Sequence, residues 1–383
     1  MTSTETIGNH RTVLVGTATP TRCGIATYTT NLCGALRSNS TTADIVRVAG
    51  DSLDDGPANP MVVANWYRNH PAGAFAAAAT CNEYDSVLLQ HEFGIYPGQD
   101  GAEVLTFLRE LDRPVVSVLH TVLDTPTRRQ RVILDEILDG SRAVVVHGRV
   151  ARARLLATHD LDPDKVTVIP HGATARQPES DDGPMIPPFI LTWGLLGPGK
   201  GLEHAIEAVA ILRANGIDVN YVIAGSTHPS VMAAGGERYR AGLARLAEQR
   251  GVADLVHFDD QYRTADAQRD LVAMASAVVL PYDSREQVTS GVLVEAIAAG
   301  RPVIATAFPH AVELAATGAV DVVSHESPPQ LASAIARIAL DPDLAARRRA
   351  AAFAEGRNYD WPNVARTFSR LLASVTETES ALR

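Results

Sequence analysis

The chain of 383 residues is 46% hydrophobic and 20% charged, which fits two globular domains and excludes disordered, collagen-like and disulfide-scaffold classes. Its net charge of −10 gives no reason to expect a nucleic-acid partner, so an anionic ligand must be bound locally. Three cysteines, Cys23, Cys33 and Cys81, match neither a zinc-site spacing nor a disulfide framework, which indicates a reducing compartment. Residues 1–9 lack a signal-peptide pattern and no apolar run is long enough to span a membrane, so we expect a cytoplasmic protein.

The first half of the chain alternates short apolar, β-branched runs with helix-length amphipathic stretches. Such alternation predicts strands and helices arranged on a parallel sheet. In chain order, the predicted strands of this half are residues 12–16, 86–90, 114–119, 143–147 and 166–169. We therefore predict a doubly wound, Rossmann-like α/β domain over residues 1–180.

A second domain of the same class is predicted after a linker at residues 181–188, in a stretch rich in Pro, Gly and Asp. Its predicted strands are residues 189–193, 221–224, 255–258, 277–280, 303–305 and 320–323. Gly216 marks the end of a helix whose apolar face carries Leu202, Ile206, Val209 and Leu212. Two such domains, 1–180 and 189–357, predict a ligand-binding cleft at the carboxyl ends of their sheets.

The sharpest local motif is residues 194–201, GLLGPGKG, which follows a predicted strand and leads into a helix. Gly194, Gly199 and Lys200 fit the phosphate-loop pattern G-x-x-x-x-G-K, but Gly201 stands where that motif needs Ser or Thr to hold magnesium. Only two lysines occur in the chain, and a lysine kept at a strand-to-helix turn suits a phosphate. The motif predicts a phosphate site; a magnesium-dependent nucleoside triphosphatase and an ordinary helix-start lysine stay open.

A second motif, residues 287–300, reads as a turn followed by a helix from about Val292. The free N–H groups of its start would face an anion; they belong to Ser290, Gly291 and Val292. Glu295 lies inside this apolar helix, where a carboxylate is costly unless it is paired. We interpret it as a partner for ligand hydroxyls, with a first-turn acid as the alternative.

The first domain offers weaker signals. Gly24 follows the first strand in PTRCGIATY, but one glycine is not a G-x-G-x-x-G fingerprint, which argues against a dinucleotide-dependent dehydrogenase. His91, Glu92, His120 and His171 follow the ends of predicted strands, where cleft residues gather. Structural histidines and a cleft constellation are both compatible with this placement.

Together these motifs resemble the retaining, nucleotide-sugar-dependent glycosyltransferases of the GT-B fold (glycosyl transferases group 1), in particular the bacterial mannosyltransferase branch. The resemblance rests on the order and spacing of CGIATY, QHEFGIY, LHT, IPHG, GLLGPGKG, AGSTHP, AVVLPYDS and QVTSGVLVEAIAAGRPVIAT. It implies an α/β protein of two Rossmann-like domains facing a cleft, with a last helix, residues 358–383, that crosses back to the first domain.

The resemblance also implies roles for individual residues. Gly24 would approach the donor diphosphate, which Lys200 and the N–H groups of the 290–292 turn would bind. Glu295 would hold the donor ribose, and the segment 261–263, with Tyr262, would line the base pocket. His120 would contact the transferred sugar, and no metal or other cofactor is implied. The remaining candidates, His91, Glu92 and His171, are expected on the acceptor side.

Two positions depart from the pattern of the family. Its usual Glu-x7-Glu has Gln287 in the first position, and Leu195 replaces an Arg often found shortly before Lys200. Gln287 can still form hydrogen bonds with sugar hydroxyls, so we count it with His120 and Lys200 as catalytic.

We therefore expect a retaining, metal-independent transferase of polysaccharide biosynthesis that moves a hexose, mannose from GDP-mannose, to a glycan or glycolipid. Two arginine-rich stretches, residues 128–131 and 149–154, favour a solvated helix face; the alternative is contact with a phosphorylated acceptor or, peripherally, with anionic lipid at the inner face of the membrane. The alternatives are a UDP-sugar donor, a phosphorylase or epimerase on the same fold, the triphosphatase, and a non-catalytic subunit that binds sugar nucleotides.

Overall fold

A computed structural model describes residues 10–50, 59–175, 188–261 and 263–382. Internal contacts divide the chain into two compact units. Unit 1 comprises Met1–Gly172 and Trp361–Arg383, and unit 2 comprises Ala173–Asp360. The predicted linker, residues 181–188, lies outside the described residues except for Pro188.

The described residues of unit 1 form a seven-stranded parallel sheet in the order β3-β2-β1-β4-β5-β6-β7. Its strands are β1 (Arg11–Gly16), β2 (Thr42–Ala49), β3 (Val62–Tyr67), β4 (Ser86–His91), β5 (Val115–Leu119), β6 (Ala143–Val146) and β7 (Val166–Val168). Its helices before residue 172 are α1 (Gly24–Ser38), α2 (Gly73–Cys81), α3 (Val104–Arg109), α4 (Arg128–Gly140) and α5 (Arg149–Thr158). The strand order reverses between β1 and β4, so the segments that follow these two strands meet where doubly wound sheets bind ligands.

Strands β2 and β3 are absent from the sequence prediction. Charged residues interrupt the apolar run of β2, which hides its strand character. The fold provides partners for both charges: Asp44 accepts a hydrogen bond from the Tyr84 hydroxyl over 2.8 Å, and the Arg47 guanidinium donates to Asn65 over 2.8 Å. The other five strands of unit 1 match their predicted positions to within one residue.

The described residues of unit 2 form a six-stranded parallel sheet in the order β10-β9-β8-β11-β12-β13. Its strands are β8 (Phe189–Trp193), β9 (Asn220–Ala224), β10 (Val256–Asp259), β11 (Ala277–Leu280), β12 (Val303–Thr306) and β13 (Val320–Val323). All six correspond to predicted strands. The order reverses between β8 and β11, which brings the loop after β8 beside the turn after β11.

The helices of unit 2 cover both faces of this sheet with two hydrophobic clusters. They are α6 (Leu202–Ala214), α7 (Pro229–Gly235), α8 (Arg238–Gln249), α9 (Ala265–Met274), α10 (Gly291–Ala298), α11 (Pro309–Ala315), α12 (Pro328–Leu340) and α13 (Pro342–Gly356). The predicted apolar face of α6 is buried, and Gly216 follows the helix with a φ of +76°, which a side chain would disfavour.

The last helix, α14 (Trp361–Leu382), belongs to unit 1. Its Val364, Phe368 and Leu372 enter the same core cluster as Leu32 and Leu36 of α1. This arrangement confirms the predicted fold class of two Rossmann-like α/β domains with a last helix that returns to the first. Throughout the described ranges, each helix falls short of the length or the apolarity that a membrane crossing requires.

Candidate active site

The loop after β8 passes so close to the end of β11 that it needs glycine. Gly194, Gly199 and Gly201 have φ angles of +120°, +86° and +61°. A Cβ added at Gly201 would lie 1.8 Å from the Pro281 carbonyl oxygen. The Ser or Thr of a magnesium-binding phosphate loop therefore does not fit at this position, which argues against the triphosphatase alternative.

Lys200 is the cation of this loop. Its Nζ lies 4.3 Å from the centre of the Tyr282 ring, which contributes a cation–π contact. Burial lowers the pKa of Lys200, and none of the described carboxylates forms an ion pair with it. A half-buried ammonium that lacks an anion is costly, so the site favours an anionic ligand.

Tyr282 supplies a second group suited to a ligand. The residue is 2% exposed, and its hydroxyl has no hydrogen-bond partner within the described parts of the chain. Its ring stacks on Phe308 with centroids 5.5 Å apart. Burial raises the pKa of the Tyr282 hydroxyl and the nearby Glu295 raises it further, whereas the Ser290 hydroxyl opposes these shifts, so the group stays neutral.

The start of α10 corrects one part of the predicted anion site. Ser290 caps the helix, and its hydroxyl accepts a hydrogen bond from Leu293 N–H over 3.3 Å. The Ser290 N–H itself donates to His310 Nδ1 over 3.0 Å, so it is not available to a ligand. The first-turn N–H groups of Gly291 and Val292 remain for an anion, as at other helix N-termini.

Glu295 lies one turn into α10 beside the end of β8. Burial raises the pKa of its carboxyl group to about 7, and a hydrogen bond from the Trp193 indole opposes this shift. Glu295 is partly exposed as a residue, so its carboxylate can still accept hydrogen bonds from ligand hydroxyls. The sequence motifs do not identify Trp193 as a site residue, although it is the last residue of a predicted strand.

Gln287 folds back on its own turn. Its Nε2 donates to the Thr289 carbonyl oxygen over 3.0 Å, which leaves Oε1 as an acceptor. Its role toward a sugar hydroxyl stays a prediction.

In unit 1 three histidines surround the ring of Tyr28, whose hydroxyl is buried and unpartnered among the described residues. Ring centroids lie 4.9 Å away for His120, 5.1 Å for His147 and 4.8 Å for His171. The fold thus brings two of the predicted histidines together. It adds His147 and, from α14, the Trp361 ring at 5.5 Å.

Gln90 fixes the protonation of the His120 ring. His120 Nε2 lies 2.9 Å from Gln90 Oε1, which accepts, so Nε2 carries the proton and Nδ1 is an acceptor. Burial, followed by the neighbouring histidines, lowers the pKa of His120 well below its ordinary value. The ring is therefore neutral near pH 7.

His91 ends β4, and Glu92 begins the loop that follows it. The His91 carbonyl accepts a hydrogen bond from His120 N–H over 3.0 Å, and burial lowers the pKa of the His91 ring to about 4. Glu92 Oε2 accepts from Gly94 N–H over 2.9 Å. These two residues shape the loop after β4, and their acceptor-side roles stay predictions.

Gly24 begins α1, directly after the N-cap Cys23. A Cβ added at Gly24 would meet no atom within 4 Å, so contacts within the chain do not explain the glycine. Of the base-pocket segment, Arg263 forms an ion pair with Asp259, and Tyr262 lies outside the described residues.

Some arginines of the two arginine-rich stretches form hydrogen bonds that stabilise the fold. Arg131, Arg152 and Arg154 donate to backbone carbonyl oxygens of neighbouring segments. Arg128 and Arg129 lie exposed in the first turn of α4. The basic surface is therefore smaller than the sequence suggests.

Known families match both halves of the chain. Residues 176–355 match the family described as Glycosyl transferases group 1, and residues 23–177 match Glycosyltransferase Family 4. The chain is a glycosyltransferase of the GT-B fold. Its membership of the mannosyltransferase branch stays a prediction.

Curated relatives and a solved structure are similar to this chain over most of its length. The D-inositol 3-phosphate glycosyltransferase of Corynebacterium efficiens is 27% identical over 78% of this chain and 73% of its own length. The protein of the same name from Streptomyces scabiei is 29% identical over 65% of this chain, which spans 60% of that relative. Anabaena HepE, solved with UDP and glucose, matches the fold with a TM-score of 0.75 at 18% identity, over 95% of this chain and 100% of that one.

Proposed function

We propose that this glycosyltransferase moves a hexose from a nucleoside diphosphate sugar to a hydroxyl acceptor with retention of anomeric configuration. The observation that carries the proposal is the group of Lys200, Tyr282 and Glu295 beside the start of α10. It offers a cation, a neutral hydroxyl donor and two N–H groups to a diphosphate, and a carboxylate to ribose hydroxyls.

The proposed mechanism follows from these charges. As the bond between the sugar and the diphosphate breaks, Lys200 and the N–H groups of Gly291 and Val292 stabilise the charge on the leaving diphosphate. The acceptor oxygen attacks from the face that the diphosphate leaves, and the diphosphate takes its proton. His120 is assigned to the transferred sugar, as the resemblance implies.

The donor in this proposal is GDP-mannose, which the resemblance implies. A UDP-hexose is the second candidate, because HepE was solved with UDP and glucose. The proposed site uses no metal. Within the described ranges, His, Cys, Asp and Glu side chains nowhere gather in threes that could hold a metal ion. A chelator is therefore included in the test below.

The proposed acceptor is a glycan or glycolipid, reached in the cytoplasm or at the inner face of the membrane, where Arg128 and Arg129 would meet anionic lipid. The Tyr28 cluster favours a neutral acceptor group, because it presents aromatic rings and the neutral His120 ring. An inositol phosphate is the second candidate, since two relatives are named for it.

Calorimetry with a panel of nucleotide sugars tests the donor site. We expect GDP-mannose, or failing that UDP-glucose, to bind with and without chelator, and Lys200→Ala and Glu295→Ala to weaken that binding. Product NMR then reports whether the anomeric configuration is retained. Binding of ATP only with magnesium, or of no sugar nucleotide, would contradict the proposal, and binding without turnover for a set of acceptors would favour a non-catalytic subunit.

A further inference from the structure

The turn at residues 287–290, which leads into α10, is held by His310. The His310 ring accepts from Ser290 N–H at Nδ1 over 3.0 Å, and its backbone N–H donates to the Gln287 carbonyl oxygen over 3.3 Å. His310 is 3% exposed, and burial lowers the pKa of its ring to about 4. The ring is neutral near pH 7, so Nδ1 is an acceptor. One buried residue therefore connects the two ends of the turn.

Gln287 closes the same turn from within. Its Nε2 donates to the Thr289 carbonyl oxygen over 3.0 Å. A carboxylate accepts hydrogen bonds but cannot donate one, so a glutamate in this conformation would set its oxygen against a carbonyl oxygen. The turn as folded needs an amide at this position.

We propose that Gln287 and His310 are a pair of positioning residues that fix the turn so that the N–H groups of Gly291 and Val292 face the donor diphosphate. This inference rests on the proposed function, which supplies the ligand. It explains why Gln stands where the resembling glycosyltransferases have Glu. A glutamate at position 287 weakens the enzyme instead of restoring it, because the turn loses its internal hydrogen bond.

The test compares four single variants of the full chain by calorimetry with GDP and with UDP, which lack the sugar. His310→Leu removes the acceptor for Ser290 N–H, whereas His310→Asn keeps an oxygen that can accept it. Gln287→Glu introduces the repulsion, and Gln287→Met removes the donor without adding charge. His257→Leu, at an exposed histidine of β10, is the matched control.

We expect His310→Leu and Gln287→Glu to weaken binding of the preferred diphosphate by about tenfold, the equivalent of one buried hydrogen bond. His310→Asn stays within about threefold of wild type, and Gln287→Met falls between wild type and Gln287→Glu. The double variant His310→Leu, Gln287→Glu binds the diphosphate no more than about threefold more weakly than either single variant, because both changes release the same turn.

Equal diphosphate affinity in wild type, His310→Leu and Gln287→Glu would overturn the inference, as would faster sugar transfer by Gln287→Glu. Hydrogen exchange of the ligand-free protein separates the inference from the proposed function. If the wild type binds neither diphosphate nor any sugar nucleotide, the proposed function fails. Hydrogen exchange of the Ser290 amide then still tests whether His310 fixes the turn. Faster exchange in His310→Leu than in His310→Asn supports the inference that Gln287 and His310 fix the turn, and equal exchange refutes it.

Discussion

The two units place clusters of different electrical character at the same position in the fold, the carboxyl ends of a parallel sheet. In unit 2 the loop after β8 and the start of α10 gather the Lys200 ammonium and free N–H groups, with the Glu295 carboxyl group beside them. In unit 1 the corresponding edge gathers aromatic rings and histidines around Tyr28, and His120 there is neutral.

Under the proposed function, one architecture serves two kinds of recognition. Charge and N–H dipoles suit a diphosphate whose charge grows during the reaction. The neutral His120 ring and the aromatic rings suit hydroxyl groups and sugar faces, which would gain little from a fixed charge. The variants below separate diphosphate binding from sugar transfer.

The largest effect is expected for Lys200→Ala. Removing this cation should lower kcat/KM for sugar transfer by about 100-fold to 1,000-fold, the range for losing one group that stabilises transition-state charge. The chain offers a matched control in its other lysine, since Lys165 donates to the Leu138 carbonyl oxygen over 2.5 Å, in unit 1. If Lys165→Met lowers transfer as much as Lys200→Ala, the effect does not come from the loop after β8.

His120→Ala should lower kcat for transfer by about 100-fold, as expected for a group that contacts the reacting sugar. The affinity for GDP or UDP should not change, because those ligands are assigned to unit 2. Gln90→Leu, which removes the acceptor of His120 Nε2, should show the same pattern at about tenfold. Weaker nucleoside diphosphate binding in either variant would contradict the assignment of diphosphate binding to unit 2.

Glu295 gives unit 2 a pH dependence. With the pKa of Glu295 raised to about 7, the carboxylate that accepts ribose hydroxyls forms as the pH rises through 7. Affinity for a sugar nucleotide, whose diphosphate does not titrate in this range, should therefore rise by about tenfold between pH 6 and pH 8 in wild type and stay flat in Glu295→Gln.

Stability should move the opposite way. Because folding raises the pKa of Glu295, its favourable contribution to the free energy of unfolding is complete below the ordinary value of 4.5 and is lost as the pH rises through about 7. Denaturant unfolding of wild type against Glu295→Gln at pH 5 and pH 8 checks the sign. An equal difference between the two proteins at both pH values would contradict the shift.

The smallest effect is expected for Trp193→Phe. The indole hydrogen bond holds the pKa of Glu295 down, so removing it should move the midpoint of the affinity profile to higher pH. At pH 7 we expect about threefold weaker binding of the nucleoside diphosphate. A midpoint that stays in place would show that Trp193 does not act through Glu295.

Much of the fold could be predicted from the sequence because most strands are uninterrupted apolar runs bounded by turns. All six strands of unit 2 are of this kind, and α6 has one apolar face and a glycine stop. Strand β2 was missed because Asp44 and Arg47 break its apolar run, and their partners become visible only in the folded sheet.

The candidate site could be predicted where a short motif contains it. Lys200 and Glu295 follow from glycine spacing and from a carboxylate in an apolar helix. His147, Tyr282 and His310 could not be singled out, because their meaning depends on neighbours distant in the chain. The Ser290 N–H was assigned to the ligand for the same reason, since its partner His310 lies on α11.

Helix α14 has a consequence for how the protein is made. Unit 2 is one continuous stretch, whereas the core of unit 1 includes Val364 and Phe368, and Trp361 fills the space that a side chain at Gly172 would need. As the ribosome adds residues in order, residues 1–172 emerge first but lack part of their interior until α14 is complete. We therefore expect residues 1–172 to complete their core only after α14 has left the ribosome, although they are made first.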